Sequence, residues 1–277
     1  MKIFNFIKNH KLFSLYTFLV VVIILISINA PLFTDYNPTD AVLKDALQPP
    51  SNQHIFGTDA LGRDIFSRVL YGSRVSISSS LILVSIILIV GTLLGIISGF
   101  AGGIIDSVIM RIADIMLSFP DLILAMAISG ILGANLFNSI IAIVCVSWTK
   151  YARLSRSLVL KIKTQDYIQS AKVIGSTYGH LLFKYFIPNV LPTMIITAFT
   201  DIGSVMLSLA SLSFLGFGVQ PPTPEWGYML SEGRNYLQSA PWLLIFPGLA
   251  IFITVAIFNL FGDSIHDLLD NKSKNTD

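Results

Sequence analysis

The chain has 277 residues, of which 53% are apolar and only 12% charged, against roughly 25% charged in ordinary soluble domains. A soluble fold of this length could not hide so much apolar surface, so the excess must face lipid or other membrane helices. A net charge of +2, with no basic patch or aromatic-interleaved stripe outside the membrane-flanking loops, excludes a nucleic-acid partner.

A helix needs about 20 consecutive apolar residues to cross a bilayer core. Residues 12–33 supply the first such run. Lys2, Lys8 and Lys11 precede it as they would a secretory signal. The run outlasts the roughly 7–15 residues of a signal core, and further spans follow, so it is expected to stay as an anchor. Residues 34–74 form a long outer loop with Pro38, Pro49, Pro50 and the run His54-Ile55-Phe56-Gly57-Thr58-Asp59-Ala60-Leu61-Gly62-Arg63-Asp64. A loop this rich in Pro and Gly holds fixed turns; it can carry recognition or simply cap helix ends.

Residues 75–100 make the second span, and Gly91, Gly95, Gly99 and Gly103 recur in it every four residues. A face without side chains lets another helix approach closely, within the chain or across a dimer. The third span, 107–133, carries Arg111, Asp114 and Asp121. Arg111 and Asp114, three apart, read as a local ion pair, and Pro120 predicts a kink. In the fourth, 134–158, the uncharged part ends at Thr149, just before Lys150. The single cysteine, Cys145, lies in this apolar run, excludes an intrachain disulfide and reads as a small hydrophobe.

A polar interval follows on the side where positive charge gathers. It begins Asp166-Tyr167-Ile168-Gln169-Ser170-Ala171-Lys172-Val173-Ile174-Gly175 and closes Tyr185-Phe186-Ile187-Pro188-Asn189-Val190-Leu191-Pro192. Small residues, a glycine and a proline stop predict a short helix that lies along the membrane surface and turns sharply. A separate protein could push on such a helix. The fifth span, 189–219, places Asp201 near the midplane, where a carboxylate costs about 2.5–3.5 kcal/mol even on an insertion scale. It either belongs to a translocation path or makes a structural hydrogen bond to Ser204, Thr200 or a neighbouring helix. An outer loop, 220–238, with Pro221-Pro222-Thr223-Pro224-Glu225-Trp226-Gly227, leads to the sixth span, 239–262.

Basic residues set the orientation. With the N-terminus inside, 13 of the 18 Lys and Arg fall on the cytoplasmic side: Lys2, Lys8, Lys11, Arg111, Lys150, Arg153, Arg156, Lys161, Lys163, Lys172, Lys184, Lys272 and Lys274. Lys44, Arg63, Arg68, Arg74 and Arg234 fall outside. The expectation is an all-α membrane protein of six transmembrane helices with both termini cytoplasmic. Residues 1–74 hold the first helix and outer loop, and 75–277 hold the other five helices.

Several chemistries are missing from the sequence. No Gly-x-x-x-x-Gly-Lys-Ser/Thr phosphate loop exists, so the chain has no ATPase motif of its own. None of His10, His54, His180 and His266 falls in a predicted span, which leaves no intramembrane Ser–His hydrolase or histidine metal site. Asp114 and Asp201 could suggest an aspartyl protease, but Leu260-Phe261-Gly262-Asp263 lacks the glycine-x-glycine of those enzymes. A stand-alone secondary transporter would show paired halves, and no inverted repeat is found.

The polar interval resembles the "EAA" loop of permease subunits of ABC importers: Glu-Ala-Ala, three residues, Gly, nine residues, Ile-x-Leu-Pro. Gln169-Ser170-Ala171 stand at the first positions, Gly175 at the glycine and Tyr185-Phe186-Ile187-Pro188 at the end. Gln for Glu removes a negative charge, and Ser, Tyr and Ile replace the first Ala, the Ile and the Leu. Phe56-Gly57-Thr58-Asp59 with Leu61-Gly62-Arg63-Asp64 and Ser67-Arg68 is similar to the outer segment of dipeptide, oligopeptide and nickel permeases of the "C" type. So are Leu212-Ser213-Phe214-Leu215-Gly216, Pro221 to Gly227, and Asn259-Leu260-Phe261-Gly262-Asp263. The resemblance implies a non-enzymatic, multi-pass cell-membrane subunit without cofactor. It implies pairing with a second, different permease, two cytoplasmic ATPase subunits driving the loop helices, and an external binding protein delivering substrate. Residues 75–277 would be the permease domain. The glutamate that many peptide-type members carry before the Leu-Ser-Phe-Leu-Gly run is absent from Ser208-Leu209-Ala210-Ser211. Asp201-Ile202-Gly203 and the stretch from Ala142-Ile143 to Ser147-Trp148, with Tyr151-Ala152-Arg153, resemble nickel-type members. Nickel or a metal chelate is therefore the expected cargo, with dipeptides or oligopeptides as the alternative. One carboxylate without intramembrane His or Cys cannot hold a bare soft metal, so a metal would travel solvated or chelated.

Overall fold

The computed structural model of the chain describes residues 10–274. Lys2 and Lys8 lie outside the described residues, and so do the side chains of Lys272 and Lys274. Among the described residues the structure is helical, with one isolated bridge between Thr58 and Asp64. The main helices are α1 (Lys11–Ile28), α2 (Ile65–Ala101), α3 (Gly103–Leu117), α4 (Asp121–Leu132), α5 (Leu136–Lys163), α6 (Asp166–Val173), α7 (Tyr178–Leu181), α8 (Ile187–Phe214), α9 (Trp226–Gly233) and α10 (Trp242–Lys274).

Four stretches are long and apolar enough to cross a membrane: α1, α2, the continuous path Tyr178–Phe214, and α10 as far as Leu268. The predicted third span is instead α3 and α4, bent by 96° at Ser118-Phe119-Pro120, and it counts as a fifth if the pair is one span. The kink expected at Pro120 is thus a break. Helix α5 has 28 residues but is not among the apolar spans; it carries Lys150, Arg153, Arg156, Lys161 and Lys163. Helix α2 starts at Ile65, ahead of the expected 75, because Asp64 caps it by accepting the Ser67 N–H at 2.7 Å. Helix α10 runs on past 262, so His266, expected outside every span, lies within its last turns.

The glycine stripe decides how α2 meets α5. A β-carbon on Gly91 would stand 2.4 Å from the Tyr151 Cβ, one on Gly95 2.2 Å from the Ala152 oxygen, and one on Gly99 2.9 Å from Val159. The contact is therefore within the chain. Gly103 does not belong to it: with φ +55 and open space around it, it reverses the chain after α2 together with Gly102, φ +68. Because 91, 95 and 99 meet 151, 152 and 159 in order, α2 and α5 run parallel. The chain must then return between them, and α3 with α4 makes that return. Helices α8 and α10 are antiparallel, with Gly203 against Asn259 and Gly262 against Thr200.

These pairings gather the start of α1, the ends of α2 and α5, the root of α8 and the later part of α10 at one face. Phe13 stacks on Phe261 there, and the Lys163 ammonium donates to the Phe100 carbonyl at 3.1 Å. The opposite face holds residues 33–64, the start of α5 and α9. Ser139 Oγ donates to the Phe217 carbonyl at 2.8 Å, and Trp242 Nε1 to the Thr58 carbonyl at 3.1 Å.

Candidate functional site

The polar interval at the first face is built as two short helices around a glycine. Helix α6 buries Ile168 and Ala171 against the body. It ends with Gly175 N donating to the Lys172 carbonyl and Ser176 N to the Ala171 carbonyl, both at 3.0 Å, the paired bonds of a Schellman cap. That cap needs the left-handed φ of +87 at Gly175, which is why glycine stands there. Gln169 Nε2 donates to the Lys163 carbonyl at 2.8 Å, in the last turn of α5. A glutamate could not make that bond, so the Gln that removes a charge from the loop also supplies a donor. The Lys163 ammonium in turn ties the end of α2, and the Phe100 ring meets Tyr178 and Phe186 edge-on at 5.9 and 5.3 Å. Helix α6 is thus joined to α5, and through Lys163 to α2 and the root of α8. Ser170 is exposed on the outer side of α6.

Pro188 does not stop a helix. The backbone passes through a π turn, Leu182–Phe186, into α8, where Pro188 occupies the first turn. A proline has no N–H and its ring crowds the carbonyl four residues back, so the turn before it widens. Tyr185 keeps its carbonyl bonded to Asn189 Nδ2 at 2.6 Å, and Ile187 is the first residue of α8. Around Gly175 the surface is apolar: Val173 is 89% exposed, Ile174 84% and Tyr178 78%. Apolar side chains gathered on a polar face mark a contact surface.

At mid-depth Asp201 and Lys150 meet. Each stands half-way along a 28-residue helix, α8 and α5. The ammonium donates to Oδ1 at 2.7 Å and Oδ2 at 2.8 Å. Of the structural bonds considered for Asp201, the one to a neighbouring helix is made, to Lys150 of α5; Ser204 Oγ donates only to the Asp201 backbone carbonyl, and Thr200 Oγ1 to Thr197. By sequence Arg111 falls in the third span and Lys150, Arg153 and Arg156 in the fourth, counted with the cytoplasmic side; the structure places all four within helices. The expected Arg111–Asp114 pair gives way to Arg153–Asp114, and Arg156 holds Asp106 at 2.5 Å. Charges from different helices meet here, which sequence spacing does not reveal.

The outer motif is a knot of internal bonds. Thr58 Oγ1 donates to the Asp45 carbonyl at 2.5 Å. Asp59 accepts Arg63 N–H at 2.9 Å and Arg63 Nε at 2.6 Å. Arg63 and Arg68, the latter 1% exposed, each reach one oxygen of Glu232 on α9 at 2.7 Å. Asp64 accepts His54 Nδ1 at 2.9 Å besides capping α2. Gly57 and Gly62 take positive φ, and a β-carbon on Gly62 would stand 1.9 Å from the Val42 oxygen. The loop expected at 220–238 contains α9, capped by buried Glu225, which accepts Gly227 N at 3.0 Å, Tyr228 N at 2.9 Å and Ser76 Oγ at 3.0 Å. Burial pushes the Glu225 carboxyl above its ordinary range, against the pull of those two N–H groups. Glu232 and Lys150 are the partners that sequence spacing missed; for Lys150 the signal was its place as the first charge after the uncharged part of the fourth span.

The family profile described as binding-protein-dependent transport system inner membrane component matches residues 91–275. The chain is 46% identical over 255 residues to a protein of Escherichia coli K12 described as a probable D,D-dipeptide transport system permease, covering 92% of this chain and 86% of that one. It is 44% identical to a dipeptide transport system permease of Alkalihalophilus pseudofirmus, over 98% and 89% of the two chains. It is 38% identical to a nickel transport system permease of E. coli K12, over 91% of each. A methionine ABC transporter solved in an inward-facing conformation shares the fold, with a TM-score of 0.52 at 19% identity over 69% of this chain and 92% of the other. Family membership makes the chain a non-catalytic, multi-pass membrane component whose ATPase is a separate subunit and which works with a further permease and a binding protein. The chain belongs to the binding-protein-dependent inner membrane components, the permeases of ABC importers.

Proposed function

We propose that this permease pairs with a second, different permease to import short peptides, each permease offering its loop to one of two ATPase subunits. The observation that carries the reading is α6 with its exposed Val173, Ile174 and Tyr178, tied through Gln169 and Lys163 to the ends of α5 and α2. A load applied to α6 then moves two long helices rather than a slack loop. Gln169, Ser170, Ala171, Gly175, Tyr185, Ile187 and Pro188 form the coupling segment. Six crossings with both termini cytoplasmic account for parallel α2 and α5 and for Lys161, Lys163, Lys172 and Lys184 at the coupling face. The outer knot of Gly57, Thr58, Asp59, Gly62, Arg63 and Asp64 gives an external binding protein a rigid platform.

Relatives named for dipeptides, at 46% and 44% identity, favour peptide cargo over the nickel that the sequence motifs suggest. The deciding measurement is uptake by the full complex in proteoliposomes with labelled dipeptide and with nickel. ATP-dependent dipeptide accumulation is expected; accumulation of nickel alone would return the cargo to metal.

A further inference from the structure

The mid-depth pair of α5 and α8 has an unequal exposure. The Asp201 side chain is 15% exposed, whereas Lys150 is 60% exposed on a surface the chain turns outward. From Asp201 the same face of α8 continues through Ser204, Ser208 and Ser211 at helical spacing, each hydroxyl bonded to a carbonyl of its own helix. A hydroxyl row that starts at a charged pair half-way along two long helices, one of them an apolar span, does not suit lipid; such a face lines a water-filled path or a partner.

We propose that Lys150 and Asp201 form an exchangeable ion pair that selects zwitterionic peptides, the cargo carboxylate taking over the Lys150 ammonium and the cargo ammonium the Asp201 carboxylate. This rests on the peptide-importer reading of the same face. The more exposed Lys150 swings aside and the more enclosed Asp201 stays in place. A zwitterion brings both charges, so neither protein group is left unpaired while the cargo passes. A cargo with one charge leaves one of them without its partner, at the greater cost when it is the more enclosed Asp201, which disfavours that cargo. A bare dication gains Asp201 only against the ammonium beside it. Among the described residues no three His, Cys, Asp or Glu side chains gather to hold a metal ion.

The test uses the assembled transporter in proteoliposomes with a dipeptide, its C-terminal amide and its N-acetyl derivative, comparing kcat/KM. Losing a hydrogen bond to a charged group predicts at least about a tenfold preference for the zwitterion over each derivative. Lys150→Gln, which can still donate to Asp201, is expected to bring the acid-to-amide ratio close to one and to spare the amine-to-acetyl ratio. Asp201→Asn is expected to do the reverse, and Lys150→Arg to restore the first ratio. Copurification with the partner subunits reports assembly, and if Lys150→Gln does not assemble, the Asp201→Asn ratio decides. Unchanged ratios in assembled variants, with wild-type dipeptide uptake intact, overturn the ion-pair assignment alone. Absence of dipeptide uptake by the wild-type complex overturns the peptide reading beneath it.

Discussion

Gly95 and Gly130 are both helical glycines, yet substitution should act on them in opposite directions. A β-carbon at Gly95 would lie 2.2 Å from the Ala152 carbonyl oxygen, a backbone atom that cannot move without α5. At Gly130 the nearest atom is a Phe217 ring carbon at 3.6 Å, an ordinary contact. Gly95→Ala should therefore cost about 1–3 kcal/mol as overpacking, while Gly130→Ala should gain roughly 0.5–1 kcal/mol from helix propensity. Thermal unfolding of the purified protein in detergent reads both signs. Glu225 gives a pH prediction. Its carboxyl is raised by burial, so the folded state binds the proton more tightly than the unfolded chain. Its contribution to stability is full below the ordinary carboxylate pKa and is lost as pH rises through the raised value. Glu225→Gln should flatten that loss, at a uniform cost of about 1 kcal/mol for one accepted N–H or O–H; melting temperatures on both sides of the raised value test it. The sequence marked Glu225 only as part of a loop motif, because its burial comes from Ser76 and α9 meeting across 149 positions.

Among the elements, the polar interval from Asp166 to Pro188 was the most legible. Its glycine, its polar setting and its small residues all predicted a short helix with a sharp turn, and Gly175 makes that turn with a left-handed φ. Gly175→Pro removes both the conformation and the N–H that bonds Lys172. Assembly should persist, because no atom lies within 4 Å of a β-carbon placed there, while ATP hydrolysis should lose its link to uptake. Uptake at the wild-type rate in reconstituted vesicles would remove the coupling role. Pro188 was read as a stop for lack of tertiary information: a proline in the first turn of a helix and one beyond its end look alike in a string of letters. The predicted third span is bent by 96° where the sequence predicted only a kink, since apolar length counts residues and not the direction they take after Pro120. Gly103 kept the four-residue period but fell where the chain reverses.

For the whole molecule, the apolar excess, the missing phosphate loop and the loop motif were sufficient in one dimension to set the class: a helical membrane permease driven by another subunit. These properties are local or compositional, so they survive being read in order. What required the tertiary structure was every relation between distant helices. The parallel course of α2 and α5 follows from three glycines meeting Tyr151, Ala152 and Val159 in sequence. The outer knot needs Glu232, 169 positions from Arg63. Asp201 could be placed at mid-depth from the sequence, yet its partner Lys150 lies 51 positions away on another helix. Composition determines the solvent a chain requires, because burial of apolar surface is nearly additive over residues. Which charges neutralise one another is decided only by packing, because an ion pair depends on a distance of a few ångströms that no sequence separation specifies.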